Sequence, residues 1–179
     1  MFQIDLVAQC KANDRKAQMK LYDQYCNGMF CVAMRYLGNK DDAEDVVQES
    51  FIRAFQKINQ YKGEVTFGAW LKKIVINKSI DFIRSNKRRF EELNESIHIV
   101  EDEDWNVPDG TTIKAIRWAM EDIPVKYKSV VQLFLIEGYD HGEIAQILNI
   151  TESACRTRLL RGKGYLKELL KSRNYVTGS

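Results

Sequence analysis

The sequence predicts an all-α fold: two small helical domains, an N-terminal helical bundle and a C-terminal helix-turn-helix, joined by an acidic linker. Apolar residues recur at helical spacing through most of the 179-residue chain. No segment shows the sustained alternation of apolar and polar residues that marks a half-buried strand. An acidic stretch without a sustained period divides the two halves. We expect the domains over residues 1–90 and 112–179, and the linker over residues 91–111.

Two helices are predicted in the first 60 residues. Apolar residues recur every fourth position from Ala17 to Leu37, and Gly38-Asn39 follows as a stop signal. Asp41 and Glu44 fit the capping-box pattern, which predicts that a second helix begins there. The apolar stripe of this second helix comprises Val47, Phe51, Ala54, Phe55 and Ile58.

A loop over residues 61–65 precedes a third predicted helix. Thr66 suits the N-cap of that helix. Its apolar residues are Phe67, Trp70, Leu71, Ile74, Ile76, Ile80 and Ile83. The acidic stretch that follows contains Pro108 and is interpreted as the linker.

Two further helices open the C-terminal half. Thr112 precedes the first of them, whose periodic residues are Ile113, Ile116, Ala119, Met120 and Ile123. Pro124 suits the first turn of the next helix, and Gly138 ends it. This helix is expected to bury Val130, Val131, Phe134 and Leu135.

A helix-turn-helix is predicted after Gly138. Asp140 and Glu143 fit a second capping box, which begins a helix with Ile144, Ala145, Ile147 and Leu148 facing inward. Asn149-Ile150 makes a tight turn and Thr151 caps the last helix. The last helix is expected to bury Cys155, Leu159, Leu166 and Leu169 or Leu170, with Gly162 and Gly164 weakening its distal part.

Charge is distributed unevenly along the chain, although the net charge is only +2. Residues 72–89 carry seven basic residues and one acid, whereas residues 91–110 carry eight acids and neither Lys nor Arg. Residues 152–173 carry seven basic residues and two acids. This pattern is expected of two nucleic-acid-binding modules on an acidic tether.

The two basic segments suit different forms of DNA. The last helix leaves Arg156, Thr157, Leu160, Arg161 and Lys163 free to face outward, and such a face suits base edges in the major groove. The first segment interleaves aromatic rings with cations beside the loop, which suits single-stranded DNA. Its cations are Lys72, Lys73, Lys78, Arg84, Lys87, Arg88 and Arg89. The alternatives are a solvated basic face in the last helix, a core role for Trp70, and a structural role for Tyr61.

The second helix has a candidate protein-docking face. Asp45, Gln48 and Ile52 lie in line at helical spacing, with Glu49 beside them. Acids near a helix start are explained by the helix dipole alone, but that explanation leaves out Ile52. On composition, docking and simple solvation both stay open.

Several classes of protein receive no support from the sequence. The chain has no membrane-spanning run and no signal-peptide pattern, so we expect a cytoplasmic protein. No nucleotide-binding loop or nucleophile–base pattern indicates an enzyme or a small-molecule substrate. The four cysteines form no CxxC pair, so we expect no metal. Without a secretion signal we expect no disulfide, and we expect no cofactor. Cys26, Cys31 and Cys155 are interpreted as small buried hydrophobes, with a redox-sensing thiol as the alternative.

Three segments, in order, resemble the extracytoplasmic-function sigma factors of the sigma-70 family. Residues 42–51 are similar to the segment of that family that binds core RNA polymerase. The promoter-melting segment of the family is similar to Tyr61–Glu64, Phe67, Trp70-Leu71, Asn77, Asp81 and Arg84. The C-terminal promoter-binding segment is similar to Gly138-Tyr139, Glu143–Ala145, Leu148, Arg156–Arg158 and Arg161.

The resemblance implies a factor that binds core RNA polymerase and directs promoter recognition and melting. The polymerase clamp helices would contact Asp45, Gln48, Glu49 and Ile52. The −10 element would contact Tyr61, Lys62, Gly63, Glu64, Val65, Thr66, Asn77 and Arg84. We add Lys87 and Arg88 to this set because they belong to the same basic segment. The −35 element would contact Arg156, Thr157, Arg158, Leu160, Arg161 and Lys163.

The family also implies an anti-sigma partner and a linker that runs through the RNA path of the polymerase. The chain departs from the family pattern at Tyr61 and Lys62, where Phe and Arg are usual, and at Gly162, where Ala is common. The main alternative is a free-standing helix-turn-helix regulator. That alternative explains the residues after Gly138 but neither the loop at Tyr61 nor the acidic helix.

Overall fold

The computed structural model of the chain describes residues 2–87 and 111–174. These residues form helices, turns and loops without a β-strand, which confirms the all-α prediction. The chain divides into two compact units, Met1–Glu92 and Leu93–Ser179. The predicted linker lies almost wholly outside the described residues, as do Arg88, Arg89 and Pro108. None of the described helices is both long and apolar enough to cross a membrane.

Over its described residues, 2–87, the first unit contains four α-helices and a short 3₁₀ turn. The helices are α1 (Phe2–Lys11), α2 (Arg15–Leu37), α3 (Lys40–Gln56) and α4 (Phe67–Lys87), and the turn is Ile58–Gln60. Helices α2, α3 and α4 pack against one another pairwise, and α1 packs on α2 and on the turn. Their shared core includes Leu21, Phe51, Phe67, Leu71, Val75 and Ile76. Burial of each such side chain contributes about 1.5–3 kcal/mol.

Helix α1 was not predicted. With ten residues it is too short to be stable by itself, so its local signal is weak. The helix is held by contacts that no local pattern reveals, because Val7 and Cys10 are buried against the rest of the unit.

The predicted capping box at Asp41 and Glu44 is wrong. A cap at Asp41 would start α3 at Asp42, but the helix begins two residues earlier, at Lys40, and Asn39 is its N-cap. The Asn39 side chain accepts a hydrogen bond from the backbone N–H of Asp42 at 3.1 Å. Asparagine caps helices as well as aspartate does, and Gly38, with φ of 67°, ends α2 immediately before it. Glu44 instead lies 3.6 Å from Lys40.

The second unit is organised around its last helix. It contains α5 (Ile113–Asp122), α6 (Val125–Val131), a π-helical turn (Gln132–Ile136), α7 (His141–Leu148) and α8 (Glu152–Asn174). Helix α8 packs on α5, α6 and α7. Both hydrogen bonds of the capping box predicted at Asp140 and Glu143 are present, at 2.8 and 3.1 Å. Asn149, with φ of 50°, makes the turn between α7 and α8.

The π-helical turn changes which side chains the second unit buries. Its i to i+5 hydrogen bond runs from the N–H of Glu137 to the carbonyl of Gln132. The wider turn shifts the helical phase assumed in the sequence prediction, so Gln132 and Leu133 are buried and Leu135 is 41% exposed. The burial predicted for Leu135 is therefore wrong, and Phe134 is only half-buried. Ile113, in the first turn of α5, is 74% exposed.

Gly162 lies where α8 meets α6. A Cβ atom on Gly162 would lie 2.4 Å from Val131 Cγ2 and 3.4 Å from Tyr127 Cβ. A Cβ atom there would clash with Val131 unless one of the helices moved, so the absence of a side chain at Gly162 lets α6 and α8 pack closely. The packing explains a glycine that the sequence indicated only as a weak point of the helix.

The cysteines differ in exposure. Cys10 and Cys155 are buried, Cys26 is half-buried and Cys31 is exposed. The prediction of a buried thiol is therefore right for Cys155, only partly met at Cys26, and wrong for Cys31, which lies on the solvent face of α2. Burial raises the pKa of the Cys10 and Cys155 thiols, which keeps both protonated and unreactive near neutral pH.

Candidate functional site

The predicted docking face of α3 is exposed. Its residues are Asp45, Gln48, Glu49 and Ile52, and Ile52 is 58% exposed. The opposite face of α3 buries Val46, Val47, Ser50, Phe51 and Ala54, so packing fixes which side of the helix meets solvent. One member of the face is already paired, because Glu49 accepts a hydrogen bond from Lys78 Nζ of α4 at 2.7 Å.

The loop before α4 is held in shape by Tyr61. The hydroxyl of Tyr61 donates a hydrogen bond to the carbonyl of Val65 at 2.6 Å, which closes the loop across four residues. The ring of Tyr61 meets Phe67 edge-on, with centroids 5.8 Å apart, and lies 5.4 Å from the ring of Trp70. Gly63 adopts a φ of 80°, which favours glycine. Tyr61 thus has a structural role in the loop, and residues 62–66 stay exposed.

Helix α1 completes the surroundings of the loop. Lys11 Nζ donates a hydrogen bond to the Tyr61 carbonyl at 2.9 Å and lies 5.9 Å from the centroid of the Tyr61 ring. The helix and the loop line an open cavity of about 760 Å³. Its lining comprises Val7, Ala8, Lys11, Tyr61, Lys62, Gly63, Glu64, Val65, Thr66 and Phe67. Sequence reasoning missed the α1 residues because they are remote from the loop along the chain.

The other predicted −10 residues do not line this cavity. Asn77 and Arg84 lie further along α4, about 15 and 26 Å beyond Phe67 at the rise of an α-helix. Asn77 has a buried side-chain oxygen without a hydrogen-bond partner among the described residues. Arg84 lies 3.7 Å from Asp81. Lys87 ends α4, and Arg88 lies outside the described residues.

Helix α8 presents the predicted −35 face. Arg156, Thr157, Leu160 and Arg161 are exposed, whereas Arg158 and Lys163 are half-buried. Thr151 fixes the start of α8, because its hydroxyl accepts a hydrogen bond from the Ala154 N–H at 3.1 Å.

Several outward side chains of α8 have a nearby partner. Arg156 lies 3.7 Å from Glu152, and the Thr157 hydroxyl donates to the Ser153 carbonyl at 3.0 Å. Lys163 Nζ lies 5.3 Å from the centroid of the Phe134 ring, so its charge is directed over that ring.

Tyr127 supports Arg161 from beneath. Arg161 Nη1 donates a hydrogen bond to the hydroxyl of Tyr127 at 3.5 Å, and the buried Tyr127 ring stacks on Tyr165. Burial by itself raises the pKa of Tyr127, but hydrogen bonds from Arg161 and Lys126, together with their charges, outweigh it and lower the pKa. Sequence reasoning did not single out Tyr127, whose contact with Arg161 is tertiary.

Family profiles match both halves of the chain. The Sigma-70 region 2 profile matches residues 21–89, and the Sigma-70 region 4 profile matches residues 113–166. The first match contains the docking face and the loop. The second contains the helix-turn-helix.

Two relatives show the similarity over nearly the whole chain. The ECF RNA polymerase sigma factor SigW of Bacillus subtilis is 31% identical over 92% of this chain and 95% of its own length. The ECF RNA polymerase sigma factor SigE of Mycolicibacterium smegmatis is 32% identical over 88% of this chain, which spans 63% of that longer relative.

Solved structures agree with the fold. The sigma factor RpoE, solved with the anti-sigma factor NepR from Bartonella quintana, gives a TM-score of 0.56 at 20% identity, over 86% of this chain and 96% of that one. CnrH, solved with the cytosolic domain of CnrY, gives a TM-score of 0.55 at 20% identity, over 95% and 97%. With the two family profiles and the SigW match, the similarity covers both units, and the chain belongs to the extracytoplasmic-function sigma factors of the sigma-70 family.

Proposed function

We propose that this chain binds core RNA polymerase and directs promoter recognition and DNA melting. The observation that carries the proposal is the combination of surfaces on one chain. An exposed apolar residue among acids, a cavity-forming loop beside a basic helix, and a capped helix-turn-helix occur in the order that the family uses. The polymerase carries the chemistry of RNA synthesis, and this chain contributes position and specificity.

The docking face of α3 is proposed to meet the polymerase. Ile52 supplies an exposed apolar anchor, and Asp45, Gln48 and Glu49 supply a polar rim around it. Interfaces commonly combine a small desolvated centre with such a rim. Because two residues of the rim are acidic and the third is a glutamine, the face suits a basic or hydrogen-bonding surface on the partner.

The loop is proposed to hold a base of the −10 element that has left the duplex. Unstacking a base costs a few kcal/mol, which contacts in the loop must offset. The exposed backbone of residues 62–66 and the Tyr61 ring provide such contacts. Asn77, Arg84, Lys87 and Arg88, further along α4, are proposed to follow the neighbouring single strand rather than the captured base.

The exposed face of α8 is proposed to bind the −35 element in the major groove. Arg156 and Arg161 can each bind a guanine through two hydrogen bonds, and Thr157 can contact a base edge. Leu160 offers an apolar contact, and Arg158 and Lys163, being half-buried, suit phosphates at the edge of the site.

The remaining proposals concern the protein as a whole. We propose domains over residues 1–90 and 112–179, an acidic linker over residues 91–111, and action in the cytoplasm. The related RpoE was solved with an anti-sigma factor, which supports an anti-sigma partner for this chain as well.

A transcription assay tests the proposal. Core polymerase with the chain should start transcription at defined sites in a genomic fragment library, whereas polymerase alone should not. Ile52→Asp should abolish binding to core polymerase in a pull-down, because it places a charge at the apolar anchor. Arg161→Ala should weaken promoter binding by the holoenzyme by about 1–3 kcal/mol. A chain that core polymerase ignores would refute the proposal.

The free-standing helix-turn-helix regulator predicts a different result. Such a protein binds its operator without polymerase, and Ile52→Asp leaves that binding unchanged. Gel-shift titrations with and without core polymerase therefore separate the two functions.

A further inference from the structure

We propose that helix α1 forms one wall of the site for the captured −10 nucleotide, and that Lys11 binds the phosphate of that nucleotide. This inference rests on the proposed function. It adds a helix that lies before the region 2 match, which begins at residue 21.

Both α1 and the loop line the cavity. Val7, Ala8 and Lys11 line one side of it, and residues 61–67 line the other. Its volume of about 760 Å³ lies in the range of about 300–1,000 Å³ that is typical of small-ligand sites. The cavity is open to solvent and lies beside the loop that is proposed to hold the extruded base.

The charged residues around the cavity indicate which kind of ligand it binds. The charged side chains among the lining residues are Lys11, Lys62 and Glu64, so cations outnumber acids. The Lys11 ammonium lies near the C-terminal end of α1 and has three N–H donors, one of which is used by the Tyr61 carbonyl. The side chain is exposed, and its remaining donors can reach a phosphate. A ring and a backbone edge for the base, beside an ammonium for the phosphate, fit a single unpaired nucleotide.

The same lysine shapes the loop before DNA arrives. Its bond to the Tyr61 carbonyl ties the start of the loop to α1, and the Tyr61 hydroxyl ties the end of the loop at Val65. A loop that is already closed loses less conformational entropy on binding. Lys11 is therefore both a positioning residue and a ligand-binding residue.

Binding of a fluorescein-labelled single strand to the holoenzyme tests the inference. The strand carries the non-template −10 sequence of a promoter mapped with the wild-type chain. Lys11→Met should weaken binding about tenfold. It should also reduce the slope of log affinity against log salt by about 0.7, the value for one single-strand phosphate contact. Lys11→Arg should keep the wild-type slope.

Two control variants separate charge from shape. Lys20→Met removes an equal charge from an exposed position on α2 that does not line the cavity, and it should leave the salt slope unchanged. Ala8→Trp should fill the cavity, and should lower affinity without changing the slope. Circular dichroism establishes that each variant is folded.

The outcomes distinguish the inference from the proposed function. A chain with which no promoter can be mapped overturns both. A wild-type holoenzyme that starts transcription at the mapped promoter but does not bind the strand overturns the inference alone. Normal wild-type binding with identical slopes for Lys11→Met and Lys20→Met overturns the phosphate contact, whether or not affinity falls. Unchanged affinity in a folded Ala8→Trp variant overturns the role of α1 as a wall.

Discussion

Two glycines inside helices have opposite surroundings. Gly28, in α2, is exposed, and a Cβ atom there would have no neighbour within 4 Å. Gly162, in α8, is buried against Val131. Helix propensity treats the two positions alike, because it describes the backbone and not the packing. Only the structure separates a replaceable glycine from a required one.

Substituting both glycines tests this difference. Gly28→Ala should raise the free energy of unfolding by about 0.5–1 kcal/mol, since alanine is the better helix former. Gly162→Ala should lower it by about 1–3 kcal/mol, because overpacking against Val131 exceeds the gain in propensity. Urea denaturation measures both changes. A stabilising Gly162→Ala would show that the helices separate easily.

Tyr127 gives the second unit a defined pH dependence. Its pKa is lowered below the ordinary value of 10.0 in the folded protein. The unfolded state therefore binds more protons just below pH 10, so the stabilisation is present above that pH and is lost as pH falls through the folded pKa. The stability difference between wild type and Tyr127→Phe should grow from pH 8 to pH 10 in urea titrations. A difference that is constant or shrinks would contradict the lowered pKa.

At the scale of the helix, N-cap residues determine where several of the helices begin. Four helix starts could be predicted from sequence, because Thr66, Thr112, Asp140 and Thr151 each cap through a contact three residues away. The start of α3 could not, because Asn39 and Asp41 are equally good caps and the choice depends on where Gly38 turns the chain. Helix α1 and the π-helical turn were missed because tertiary packing, not local pattern, selects them.

The start of α3 can be tested at the level of the helix. Asn39→Ala should lower the free energy of unfolding by about 1 kcal/mol through loss of the cap. Asp41→Ala should remove only a dipole interaction, which is screened in about 0.5 M salt. Denaturation at low and high salt should therefore leave the Asn39→Ala effect and diminish that of Asp41→Ala. The reverse pattern would restore the predicted capping box.

Across the whole molecule, the outward faces were easier to predict than the contacts between segments. The exposed residues of α3 and α8 follow from helical periodicity alone. The bond from Lys11 to Tyr61 joins residues 50 positions apart, and the bond from Arg161 to Tyr127 joins residues 34 positions apart. No sequence pattern specifies such pairs, so the cavity beside α1 and the support beneath Arg161 needed the structure.

The two compact units should fold separately. Fragments covering Met1–Glu92 and Leu93–Ser179 each contain a core of their own, and their summed circular dichroism should equal that of the intact chain. A fragment ending at residue 60 provides the control. It lacks α4, whose Phe67 and Leu71 complete the first core, and it should lose most of its helicity. Unfolded fragments from the first pair would show that the units depend on each other.

The close approach at Gly162 also constrains how this domain can diverge. A descendant of this chain that carried alanine at position 162 would need a smaller neighbour than Val131 or a wider gap between α6 and α8. A wider gap would also shift Arg161, which is proposed to bind the −35 element. Positions 131 and 162 should therefore change together among descendants of this chain, because a side chain added at position 162 alone would leave two helices that no longer fit.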